Sequence, residues 1–177
     1  MVNEIQKFSA RWSIAVWLST IIIGLVVFVM IPYGILEAIM TGKLATDAAK
    51  AYTFLIGLVP IIFVVAVFFA PMNYAITSSE VMVNRLGPNI VVPIGDIYDV
   101  QSLKRKELGL LPLRVFGVGG FCGSYGYFWS SRLGLFKAYI TNTRTLILIK
   151  YSDNKKILLS PGKPQEFLDT VAHARNP

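Results

Sequence analysis

Between Ser13 and Leu36 the chain carries no charged residue: SIAVWLSTIIIGLVVFVMIPYGIL is a 24-residue run of almost unbroken apolar character. At ~1.5 Å per residue, a helix of that length crosses a ~30 Å hydrocarbon core with some tilt, so the run predicts a transmembrane helix. A signal peptide wants a shorter apolar core and a small-residue cleavage site, which Met30, Ile31, Pro32 and Tyr33 do not supply. A second uncharged run, AYTFLIGLVPIIFVVAVFFA from Ala51 to Ala70, ends at Pro71 and predicts a second span. Pro60, near its middle, predicts a kink rather than a break, since a bilayer penalises exposed backbone.

The rest of the 177-residue chain has a different composition. Residues 1–70 carry four basic and three acidic side chains, whereas residues 71–177 carry thirteen basic and seven acidic ones. The predicted division is therefore a transmembrane helical hairpin over residues 1–71, with spans at about 13–36 and 51–70, and a basic globular domain over 72–177. The short connection from Glu37 to Lys50 puts both termini on one side. Lys7, Arg11 and the amino terminus outweigh Lys43 and Lys50 slightly in the positive-inside count, and the single cysteine, Cys122, suits a reducing compartment. The expectation is an integral membrane protein whose termini and globular domain face the cytoplasm.

From Met72 the periodicity shortens to β-like segments. Tyr74–Thr77, Val81–Arg85, Ile90–Ile94 and Ile97–Leu103 read as successive antiparallel strands. After a glycine-rich stretch come an alternating segment around Phe136, Ala138 and Ile140, then Thr145–Lys150, then a turn at Asp153-Asn154 into Lys156–Ser160. QEFLDTVAHA follows, with Phe167, Leu168, Val171 and Ala172 on one helical face. About seven strands closed by one C-terminal helix is the order of a pleckstrin-homology-like (PH-like) barrel.

The succession RVFGVGGFCGSYGYF, LGLFKAYITN, LILI and KKILLSPGKPQEFLDTV resembles the bacterial PH-domain family, with its glycine–aromatic stretch, Y-x-T-N strand end and S-P-x-x-P-x-x-F helix start. The resemblance covers roughly Tyr74 to Ala174, and two spans ahead of the domain also resemble members of that family. It implies an α+β membrane protein: a two-helix transmembrane hairpin, then a PH-like antiparallel β-barrel or sandwich of about seven strands with a C-terminal capping helix. It also implies a binding module in a bacterial cytoplasmic membrane. Phosphoinositide-binding PH domains gather Lys and Arg around their first hairpin, and the matching segment here, Tyr74–Arg85, holds only Arg85 and Glu80 as charged residues.

Two features remain as candidates for contact. The run Lys104-Arg105-Lys106 is dense enough to attract an anionic leaflet at about 1 kcal/mol per charge, or to form a solvated turn. The stretch Gly117–Ser131 has glycines at positions 117, 120, 123 and 126, then Tyr127, Phe128 and Trp129. If it is extended, Phe121, Tyr125, Tyr127 and Trp129 share one face, and Cys122, Ser124, Gly126 and Phe128 the other. Those rings either pack over the barrel or project toward headgroups or a protein partner.

Enzymatic chemistry has few candidates. Gly117–Gly123 is not a dinucleotide-binding fingerprint, Asp96 and Asp99 lack a partner base, and one histidine with one cysteine excludes most metal sites and triads. The expected protein is non-catalytic, without cofactor or metal. Its partners are the bilayer and other membrane protein subunits or a second copy, in an accessory or scaffold role or, alternatively, as a lipid-sensing regulator. Nucleic acid is not expected, because the aromatics are not interleaved with the basic run and a membrane tether restricts access.

Overall fold

The computed structural model describes residues 5–10, 12–42, 47–109, 112–120 and 122–175. The chain opens with strand β1 (Gln6–Ser9) and passes into one long helix made of α1 (Ile14–Leu25), a π-helical stretch (Val26–Met30) and α2 (Ile31–Met40). Ser13 starts it, its hydroxyl accepting from the Val16 N–H at 3.3 Å. The π-helical stretch sits immediately ahead of Pro32. That ring lacks an N–H and collides with the carbonyl four residues back in a regular helix, and widening the preceding turn relieves the clash. The Ile31 N–H accordingly bonds to the Val26 carbonyl, five residues back. Ile14–Met40 spans 27 residues, is long and apolar enough to cross a membrane, and runs past the expected end at Leu36.

Helix α3 (Asp47–Phe69) is continuous through Pro60, and the apolar part among its described residues is Ile56–Phe69. The two helical segments touch where Phe63 meets Phe28 edge-on, with ring centres 5.5 Å apart. Gly24 lies at the same contact, where a Cβ would meet the Phe63 ring at 3.6 Å, an ordinary packing distance.

The strands form a sandwich of two sheets. One has the order β1–β2–β3–β4, with β2 at Asn73–Ile76, β3 at Glu80–Asn84 and β4 at Ile90–Pro93. The other has the order β5–β9–β10–β8–β7–β6. Its members are β5 (Ile97–Leu103), β6 (Leu113–Gly119), β7 (Ser124–Ser130), β8 (Gly134–Ile140), β9 (Leu146–Tyr151) and β10 (Lys155–Leu159). Helix α4 (Pro164–Arg175) closes the chain.

Three expectations need correction. There are ten strands among the described residues rather than about seven. The sheets are not wholly antiparallel, because β10 runs parallel to β8, Ile157 opposite Lys137. And residues 6–9, which the sequence places with the helical part, belong to the first sheet, Phe8 lying opposite Tyr74. β1 therefore sets the long helix and α3 between two neighbouring strands of one sheet.

The core lies between the sheets. Ile147 and Ile149 of β9 and Ile157 and Leu159 of β10 point into it, fully buried. Leu146, Leu148 and Leu158 take the opposite face and form a second apolar layer with Phe128, Phe136 and Ile140, covered by Leu108. Burial on both faces explains why LILI is a continuous apolar run rather than an alternating one. Phe167 plugs one end of the sandwich, its ring 5.2 Å from Phe8 and 6.5 Å from Tyr74, both edge-on. With Val171 it forms the buried face of α4, whereas Ala172, expected on that face, is exposed.

Candidate interaction surface

The glycine-rich stretch supplies the end of β6, the turn and the whole of β7 in a β6–β7 hairpin, in which the Gly120 N–H bonds to the Gly123 carbonyl at 3.2 Å. Gly117 and Gly126 lie directly opposite each other, at φ +133° and +121°. A Cβ at Gly117 would collide with the Tyr125 carbonyl, and one at Gly126 with the Phe116 carbonyl. The two glycines thus permit a strand approach that no side chain allows.

Cross-strand register builds three rows on one face of β6, β7 and β8. Val118, Tyr125 and Tyr139 form the first, Phe116, Tyr127 and Lys137 the second, and Leu113, Trp129 and Leu135 the third. The first row is covered: Tyr125 and Tyr139 are buried, and the Tyr125 hydroxyl donates to the Ala66 carbonyl of α3. Burial raises the Tyr125 hydroxyl pKa well above its ordinary value, with nearby Cys122 adding to the effect. In the second row Phe116 is exposed and Tyr127 carries the Lys137 ammonium 5.3 Å from its ring centre. The third row is open, with Leu113, Trp129 and Leu135 at 63%, 45% and 55% exposure.

The rings proposed from sequence therefore divide. Tyr125 is packed under α3, Tyr127 and Trp129 face outward, and Phe121 lies outside the described residues. Phe128, on the other face, stacks on Phe136 in the second apolar layer. Sequence reasoning missed Leu113, Phe116 and Leu135, because their membership in the patch depends on strand pairing that one strand's alternation does not reveal. Lys104, Arg105 and Lys106 are exposed around a short 3₁₀ turn, Arg105–Leu108, in which the Glu107 carboxylate accepts from the Lys104 N–H at 2.7 Å. They are not part of the three rows.

The hairpin also reaches the first helix. The Cys122 N–H donates to the Thr20 hydroxyl at 2.9 Å, and the Ser19 hydroxyl donates to the Gly120 carbonyl at 3.3 Å. Ser19 and Thr20 stand in the uncharged run that begins at Ser13, and Ala66 in the second such run. The β6–β7 hairpin is thus held alongside the domain-proximal turns of both apolar helices.

Other sequence-marked residues are occupied structurally. Asp99 pairs with Lys150 at 2.8 Å and Asp96 accepts from the Ser152 hydroxyl at 2.8 Å. Cys122 is buried, its thiol pKa raised by desolvation, and His173 is exposed on α4. Among the described residues no cluster of three or more His, Cys, Asp or Glu is arranged to hold a metal.

The Y-x-T-N and S-P-x-x-P-x-x-F segments meet in the interior. Ser160 Oγ accepts from the Thr141 N–H at 2.8 Å and contacts the Tyr74 hydroxyl at 3.3 Å, while that hydroxyl donates to the Tyr139 carbonyl at 2.8 Å. Burial pushes the Tyr74 hydroxyl up to about 12. These motifs tie the end of β8 to the end of β10 and start α4, so they carry the fold rather than a reaction.

The family model described as bacterial PH domain matches residues 72–174, more than half of the chain. No curated protein and no solved structure matches. The two-sheet sandwich with its C-terminal helix is consistent with that match, and the chain belongs to the bacterial PH domain family.

Proposed function

From membership of the bacterial PH domain family, we propose that this chain is a non-catalytic interaction module anchored in the membrane. A PH-like domain suggests an interaction or lipid-binding role, and the finer reading comes from the surroundings of the β6–β7 hairpin. Both apolar helices cross the bilayer as a hairpin, residues 72–177 with β1 form the domain, and the domain sits on the cytoplasmic side against the membrane surface. There it docks a neighbouring membrane protein subunit in an accessory or scaffold role.

The observation that carries this reading is the open row Leu113–Trp129–Leu135. Three large apolar side chains lie side by side across three strands, on a face whose other end is already bound by a helix. An apolar patch with a tryptophan at its centre is the composition of a protein-binding hot spot.

The test is a photo-crosslinking side chain at Leu135, activated in native membranes. A single protein adduct of defined mass, abolished by Trp129→Asp in a variant that retains its fold, supports docking. Adducts to lipid alone would replace docking with the lipid-sensing reading. Labelling of a cysteine at Asn154 by an impermeant reagent outside intact cells, in a Cys122→Ser background, would overturn the cytoplasmic placement.

A further inference from the structure

Between α3 and the hairpin lies an open groove of about 740 Å³, within the roughly 300–1,000 Å³ range that single ligands occupy. One wall is the α3 surface carrying Ile62, Val65 and Phe69, and the other is the β6–β7 face around Phe116 and Tyr127. The lining is predominantly apolar, and the charged residues on it are both basic, Arg85 and Arg114.

Arg85 is held in place. Its Nε donates to the Pro88 carbonyl at 2.8 Å, and its guanidinium lies 5.4 Å from the Phe69 ring centre and 5.6 Å from that of Tyr139. Among the described residues no carboxylate pairs with it, although it is half-buried in the β3–β4 connection beside the end of α3. A partly desolvated guanidinium calls for an anion, and its planar fork matches phosphate oxygens.

We propose that this groove binds one anionic phospholipid, its acyl chain against Ile62 and Val65 and its phosphate held by Arg85 and Arg114. Ile62 and Val65 are exposed on α3, so a lipid enters sideways from the bilayer without crossing water. The site differs from the Lys104–Lys106 run, none of whose residues lines this groove. The proposal rests on α3 crossing the membrane, as set out under the proposed function.

The experiment is native mass spectrometry of the delipidated full chain in detergent, titrated with phosphatidylglycerol or with phosphatidylcholine of the same chains. The expected result is one retained phosphatidylglycerol per chain, bound about tenfold or more tightly than phosphatidylcholine. Arg114→Gln, at an exposed position, and Arg85→Gln each lower its occupancy about tenfold at unchanged helix and sheet content by circular dichroism. Val65→Trp fills the membrane-side wall, leaves both arginines in place, and removes retention of either lipid. Equal retention of the two lipids, or a Val65→Trp variant that binds phosphatidylglycerol like the parent, overturns the groove site. A chain that stays monomeric and soluble after detergent removal sinks the membrane reading itself, whereas a detergent-requiring chain that retains no lipid sinks the groove alone.

Discussion

Tyr125 and Trp129 stand on the same face of the same strand, four residues apart, with the same alternation and both aromatic, yet one is buried and the other 45% exposed. The difference is α3. Its last turns lie over the Val118–Tyr125–Tyr139 end of the face, and the Leu113–Trp129–Leu135 end extends beyond it. Alternation along a strand selects a face, but what covers that face comes from elsewhere in the chain.

The largest test of this contrast is Tyr125→Ala. Removing a ring buried between strand and helix destabilises the protein by ~3–5 kcal/mol, read from denaturant or thermal unfolding of the full chain in detergent. Trp129→Ala, at the open end, changes it by less than about 1 kcal/mol in the same measurement. Equal losses would mean that the open row is covered too.

Gly126→Ala is the intermediate case. Its φ of +121° and the collision with the Phe116 carbonyl force the hairpin apart, an expected loss of at least about 2 kcal/mol. Amide hydrogen exchange should localise the damage to β6 and β7, with β9 and β10 still protected. Uniform loss of protection would show that the hairpin is integral to the core rather than an appended edge.

The smallest effect sharpens the contrast most. Leu135→Ser removes an apolar side chain from the open row, and stability should stay within about 0.5 kcal/mol of the parent. The change should be felt only in association with a partner, as weaker co-purification from native membranes. A destabilisation above ~2 kcal/mol would place Leu135 in a packed interior and remove the docking surface.

Much of the β domain could be read residue by residue. Val81 and Val83 alternate with less buried neighbours in a strand covered on one side, and LILI is continuous because β9 is covered on both. The Phe167–Val171 spacing marked the helix face that plugs the sandwich. β1 was not legible: QKFS contains one large apolar residue, and its partner strand lies beyond two helices. β6 escaped for a related reason, since LRVFGVG is exposed over most of its length and shows neither the alternation of a half-buried strand nor the solid apolar run of a buried one.

The sequence by itself determined the local and additive properties of this protein. Two uncharged runs must be helical wherever backbone polar groups lack water, Gly117 and Gly126 stand where the backbone is at positive φ and pressed against a neighbour, and period-two patterns fold into a sandwich under a C-terminal helix. Only the tertiary structure decided which aromatic residues are core and which are surface, that the first strand shares a sheet with the strands between Asn73 and Pro93, and that Arg85, with no carboxylate partner among the described residues, faces an apolar groove. Those outcomes depend on contacts between segments tens of residues apart, such as Tyr125 with Ala66, Thr20 with Cys122 and Phe8 with Phe167. No local pattern encodes such pairings, because each partner alone is compatible with many neighbours and only the assembled chain selects one.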